Sequence, residues 1–330
     1  RHQGGLFGAQ ETAITDPQTP YPTTITGSGR TVETAQIVLN DPSSSSPGDI
    51  LTYCIDLATE TEIGVHYELG DWTSANVPNL DYVTYILNQY YPVVPGAPAL
   101  STDAEKVAAV QGAIWYFTDR FVVPRFGYPA QHDAIAAIVA ATQAALAGGS
   151  TPAPPLPTLT ITPDTATAPT TGDVVGPFAV GGSVSSSTLS TRGIDVFSDA
   201  SGTVPVPDGS SVAQGSSLWA RYAATVADEG FSLETSQTVE AGNVFLYDGG
   251  NPGRTSAQKL ILAAQATIPI RANAAITAVA AGWFAADVTV TGAAAGLQGA
   301  VSVTARCDDG TTVVENSGTL AAGTPAGTTR

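Results

Sequence analysis

Gly148-Gly149-Ser150-Thr151-Pro152-Ala153-Pro154-Pro155-Leu156-Pro157-Thr158 divides two textures of sequence. The paired glycines suit a helix stop, and the prolines favour an extended, semi-rigid spacer. Upstream, apolar residues recur at helical spacing in three segments: Leu80, Val83, Ile86 and Leu87; Val107, Val110, Ile114 and Phe117; Ile135, Ile138 and Val139. Thr102 with Glu105 three positions on predicts a capping box at the start of the second helix. Downstream come short alternating runs such as Val244-Phe245-Leu246-Tyr247 and Asp287-Val288-Thr289-Val290-Thr291, separated by Gly, Ser and Pro-Asp-Gly turns. That pattern predicts an antiparallel sandwich. The expected order is an arm over 1–20, an α+β domain over 21–147, a linker over 148–158, an all-β sandwich over 159–305, and a tail over 306–330.

At 330 residues the chain has room for two domains. Asp and Glu (29) outnumber Lys and Arg (12), and the net charge of -17 repels nucleic-acid phosphates and anionic lipid. Neither nucleic acid nor a membrane is an expected partner, and no apolar run has the length of a membrane span. With no Met, the chain reads as processed or trimmed. Two cysteines match no metal-ligand spacing, so neither a metal nor an organic cofactor is expected. The Thr, Ser, Gly, Pro and Ala richness, with Lys106 and Lys259 as the two lysines, points outside the cytoplasm.

Two residues stand out chemically. Cys54 lies in Tyr53-Cys54-Ile55-Asp56, within a run from Ile50 to Leu57 whose apolar residues occupy both faces of a strand. A lone buried cysteine usually acts as a small hydrophobe. Gln111 is harder to explain, because Val107, Ile114 and Trp115 surround it at helical spacing and its amide then needs buried partners.

At these residues the chain resembles the thioester domains of surface adhesins from Gram-positive (actinobacterial) bacteria. That family carries a Tyr-Cys-acidic strand motif followed by a Gln motif of the form TQxA with Ile-Trp after it. Here Val110-Gln111-Gly112-Ala113-Ile114-Trp115 follows Cys54 in the same order, with Gln111 57 residues on. Val110 stands where the family commonly has Thr, so a hydroxyl that could support the Gln is absent. The resemblance spans roughly residues 31–146. It implies a β-barrel or sheet with a helical subdomain, followed by the all-β sandwich. It also implies that Cys54 Sγ attacks the Gln111 carboxamide, ammonia leaves, and an internal thioester remains. An amine-bearing surface or matrix protein would be captured once, through lysine, so the chain would be a chemical anchor and not an enzyme. Attachment to a cell wall would come from sequence outside this chain.

Further expectations attach to single residues. Tyr53 and Trp115 could exclude water, and Asp56 could orient a donor or move a proton. His66 is a weaker candidate base near Cys54. Lys106, about 500° round the helix from Gln111, should point away from it. A cysteine hydrolase would need Cys54 beside His2, His66 or His132, none of which has a matching local signature. A Cys54–Cys307 disulfide in a non-covalent stalk protein is the main alternative. In the second domain, Lys259 could form an isopeptide bond with Asn243, Asn251 or Asn273, assisted by Glu234 or Asp287.

Overall fold

Helix formation before residue 147 follows the expected local signals. In the computed structural model, which describes residues 4–40, 50–169, 171–224, 226, 228–278, 288–289, 299–306, 312–320 and 328–329, Thr102 caps the longest buried helix. Its hydroxyl accepts from the Glu105 N–H, and the Glu105 carboxylate accepts from the Thr102 N–H, satisfying two otherwise orphaned donors. The elements begin β1 (Gly4–Gln10), β2 (Arg30–Thr34), β3 (Ile37–Leu39), β4 (Ile50–Cys54) and β5 (Tyr67–Gly70). There follow α1 (Trp72–Ala75), α2 (Leu80–Gln89), α3 (Asp103–Asp119), β6 (Phe121–Val122) and α4 (Pro129–Leu146). Then come β7 (Leu159–Thr162), β8 (Thr165–Ala168), β9 (Val174–Gly182), β10 (Ser186–Arg192), β11 (Asp195–Phe197), β12 (Ser211–Ala213), β13 (Ser217–Arg221) and β14 (Gly230–Val239). The order ends with β15 (Val244–Tyr247), β16 (Leu260–Leu262), β17 (Ala266–Ala278), β18 (Val288–Thr289), β19 (Gly299–Arg306), β20 (Thr312–Leu320) and β21 (Thr328–Thr329).

The chain forms two units that are not consecutive in sequence. The first comprises 1–159, 182–184 and 234–271; the second comprises 160–181, 185–233 and 272–330. The division after 147 is therefore corrected: β15 and β16, expected in the sandwich, complete a five-stranded sheet of order β3-β4-β16-β15-β5 in the first unit. The physical reason is burial. Leu260, Ile261 and Leu262 are all buried, as suits a central strand covered on both faces, and they pair with Cys54, Tyr53 and Thr52. The expected arm over 1–20 is likewise a strand at its start, since β1 is the middle strand of β2-β1-β6 with Leu6 and Ala9 buried. The expected tail contains β20, paired with β19, and β21, paired with β18.

Within the first unit α3 is buried all round, with every residue from Val107 to Thr118 inside. A helix apolar on every side must be enclosed, and α2, α4 and β1 enclose it. Gly112 marks the tightest approach: a Cβ there would sit 2.5 Å from Ile135 Cδ1 on α4 and 3.0 Å from Leu6 Cδ1 on β1. The second unit holds most of a β-sandwich of the sheets β12-β10-β14-β17-β8 and β11-β13-β9-β7, with 234–239 of β14 and 266–271 of β17 counted in the first unit. Their inner faces meet at Phe178 and Phe231, whose rings pack edge to face with centroids 5.2 Å apart. Among the described residues no helix is long and apolar enough to cross a membrane.

Candidate functional site

Strand β4 ends at Cys54, and the buried stretch of helix α3, Val107 to Thr118, presents Gln111 to it. Both residues are enclosed, with 3% and 1% of their surface exposed. The Cys54 N–H donates to Gln111 Oε1 at 3.0 Å, and Gln111 Nε2 donates to the Cys54 carbonyl at 2.7 Å. Both ends of the buried carboxamide are thus satisfied by the backbone of Cys54. This answers the demand for partners that its apolar surroundings create.

Three contacts surround the Cys54 sulfur. Trp115 Nε1 donates to it at 3.4 Å, the Asp56 N–H donates at 3.4 Å, and the thiol donates to the Asp56 carbonyl at 3.3 Å. Burial pushes the thiol up to about 12; the hydrogen bonds from Asp56 and Trp115 counter this, while the Asp119 and Asp56 charges add to it. At neutral pH the sulfur is therefore held as a thiol, and any attack by it must carry a proton transfer.

Other expected residues lie differently. Tyr53 alternates to the opposite face of β4, where its hydroxyl accepts from Gln36 and donates to the Tyr91 carbonyl. Asp56 meets the sulfur through its backbone alone. The strand ends at Cys54, and the Asp56 carboxylate turns to accept from Ala58 N–H and Thr59 Oγ1. His66 is exposed on the loop before β5, with its N–H bound to Asn251 Oδ1, and is not among the partners of the sulfur. Lys106 pairs with Asp103 and lies over the Tyr91 ring.

The isopeptide set is dispersed. Lys259 is half-buried in the first unit, where its carbonyl accepts from Ile55 N–H. Asn243 Nδ2 donates to the Glu240 carbonyl, Asn251 Nδ2 to the Gly64 carbonyl, and Glu234 pairs with Arg271. Asn273 is exposed on β17. Asp287 and Cys307 lie outside the described residues, and Cys54 is a free, buried thiol.

Two contributors escaped the sequence reading. Gln258, just before β16, donates from Nε2 to the Asp56 carbonyl and accepts from Tyr67 at its own carbonyl. No local pattern ties residue 258 to residue 56. Asp119 was more accessible, because Gln111, Trp115 and Asp119 succeed one another at four-residue steps on one face of α3. Its Oδ1 accepts from Leu57 N–H at 3.1 Å and its Oδ2 from Thr118 Oγ1 at 2.7 Å. Burial raises its carboxyl to about 6, against the lowering effect of those two bonds. Among the described residues no group of three or more His, Cys, Asp or Glu side chains is placed to hold a metal ion.

Residues 51–147 match the family model described as TED: Thioester domain. That segment contains Cys54, Gln111, Trp115 and Asp119. Among solved structures, the chain is similar to the thioester domain of the Enterococcus faecium TIE86 protein, at 15% identity and a TM-score of 0.31, covering 83% of this chain and 99% of that one. It is also similar to the Bacillus anthracis TIE protein, at 15% identity and a TM-score of 0.29, covering 70% of this chain and 43% of that one. Neither structure has an actinobacterial source. None of the curated proteins matches the chain.

Proposed function

We propose that Cys54 and Gln111 join as an internal thioester that captures a partner amine, a reading supported by the match of residues 51–147 to the thioester-domain model. The observation carrying this reading is the clamp on Gln111: Cys54 N–H on its oxygen and Cys54 carbonyl on its nitrogen.

Each atom of the clamp has a use. As Cys54 Sγ attacks Gln111 Cδ, negative charge develops on Oε1, where the Cys54 N–H already donates. The Sγ–Cδ bond forms, the Cδ–Nε2 bond breaks, and the thiol proton leaves with Nε2 as ammonia. Thiolysis of an amide is unfavourable in water. Holding the reactants in contact replaces a bimolecular encounter, and burial keeps water from the product. Capture runs through the same carbon. A lysine amine adds to Gln111 Cδ, the Sγ–Cδ bond breaks, and the amine's proton returns to sulfur. The partner is then held by an amide, and each chain reacts once.

This chemistry fits an extracellular surface adhesin whose target is an amine-bearing surface or matrix protein on a host or neighbouring cell. The intact mass before and after exposure to methylamine tests it. A chain lighter by one ammonia, which then adds one methylamine at Gln111, is the expected result, with both changes abolished in Cys54→Ala and Gln111→Ala. An unaltered mass with Gln111 still an amide overturns the reading.

A further inference from the structure

The sulfur's surroundings depend on one peptide unit. The Asp56 carbonyl, which accepts the thiol hydrogen, and the Leu57 N–H, which binds Asp119 Oδ1, belong to the same peptide plane. The preceding Asp56 N–H is one of the two donors to sulfur. This short turn leaves the sheet ladder at Cys54; on the sheet side the segment before β16 holds it, through the Lys259 carbonyl on Ile55 N–H and Gln258 Nε2 on the Asp56 carbonyl. From the helix side, Asp119 holds it.

We propose that Asp119 is a positioning residue for the thioester reaction: by anchoring the Asp56–Leu57 peptide, its carboxylate aims the groups that receive the thiol hydrogen and stabilise the departing sulfur. The inference rests on the thioester reading and deepens it. In capture, electrons of the Sγ–Cδ bond collect on sulfur, where Trp115 Nε1–H and Asp56 N–H can donate to them. The proton arriving from the amine is then shared with the Asp56 carbonyl, which Gln258 also engages. An ionised anchor makes a charge-assisted bond, roughly twice as strong as a neutral one.

Several charged groups surround this carboxylate. Asp56 lies on the anchored turn and repels it, and Lys259, preceding β16, attracts it. Arg30 on β2 donates to the Leu57 carbonyl at 3.5 Å, and Cys54 on β4 is disfavoured as a thiolate by the Asp119 charge. The charge thus has two opposed effects on the leaving sulfur: through-space repulsion slows departure, and the anchored turn speeds it. The proposal is that the anchor dominates.

The test uses the full chain, with methylamine as the amine, from pH 5 to 8. Asp119→Asn keeps an acceptor for Leu57 N–H and removes the charge; Asp119→Glu keeps the charge. Dividing the wild-type rate of methylamine uptake by that of Asp119→Asn cancels the ionisation of the amine. The expected ratio is about tenfold at pH 8 and approaches one as the pH falls through about 6, with partial rescue by Asp119→Glu. A ratio that is constant with pH, or below one at pH 8, overturns the inference while the thioester stands. Wild-type protein whose mass lacks the ammonia loss overturns the thioester reading and this inference with it. If Asp119→Asn fails to fold, the wild-type rate per free amine decides: an inflection near pH 6 supports the anchor and its absence overturns it.

Discussion

Asp119 and Asp199 are the same residue type used in opposite ways. Asp199, in the sandwich unit, lies half-buried in a turn, where its carboxylate accepts from Ser201 Oγ and from the backbone N–H groups of Val204 and Thr203. These donors hold it well below the usual carboxylate range. Asp119, in the first unit, is drawn inside by the end of α3, and burial lifts it to about 6. The difference shows how each unit spends its polar groups. In the sandwich unit Asp199 closes a turn, while the buried Glu229 accepts from the Ala223 and Val226 N–H groups. The first unit draws a thiol, a carboxamide, an indole and a carboxyl toward its interior, at a desolvation cost to each.

The largest effect expected from testing this contrast comes from cutting the chain after Leu159. That removes β15 and β16, which lie between β4 and β5, and leaves both flanking strands with unpaired edges. Such a fragment should show no cooperative melting transition by circular dichroism and no methylamine uptake. A cooperative melt would mean that the two later strands are dispensable to the first unit. Next, Gly112→Ala brings a methyl group against Ile135 and Leu6. Overpacking costs roughly 1–3 kcal/mol and alanine's better helix propensity returns about 1, so a net loss of about 1 kcal/mol is expected by urea unfolding.

The smallest effect is in pH dependence, and its sign separates the two carboxylates. Asp119 binds its proton more tightly folded than unfolded, so stability should rise as pH falls from about 6 toward about 4. Asp199 binds its proton less tightly when folded, so its contribution is present above about 4 and lost as pH falls below that. Urea unfolding of Asp119→Asn should flatten the first slope, and Asp199→Asn the second. Identical slopes in both variants would erase the contrast drawn here.

What could be read beforehand follows the range of the forces involved. The three helices, the Thr102 capping box and the placement of Gln111 on a buried helix are local in origin and were legible. The membership of Val244–Tyr247 and Leu260–Leu262 was not, because sheet partners nearly 200 residues away decide it. A clue did exist: Leu260-Ile261-Leu262 is continuously apolar, while β14 alternates along much of its length. The first marks a strand covered on both sides, the second a strand wet on one. Gly4-Gly5 disguised β1 as an arm, although Leu6 and Phe7 directly follow. The run from Ile50 to Leu57 reads as one strand, whereas the strand ends at Cys54 and the Asp56 carboxylate turns to Ala58 and Thr59.

The clamp between Cys54 and Gln111 has a mechanical corollary. A bond at that point would tie β4 to α3 and close a covalent ring between residues 57 positions apart. By the loop-entropy argument used for disulfides, such a ring restrains the unfolded chain by about 4 kcal/mol. Under the proposed chemistry, capture of a partner would open it. The domain that has done its work is then the looser one, and a melting temperature that drops on methylamine treatment would record the moment at which strength passes from the fold to the attachment.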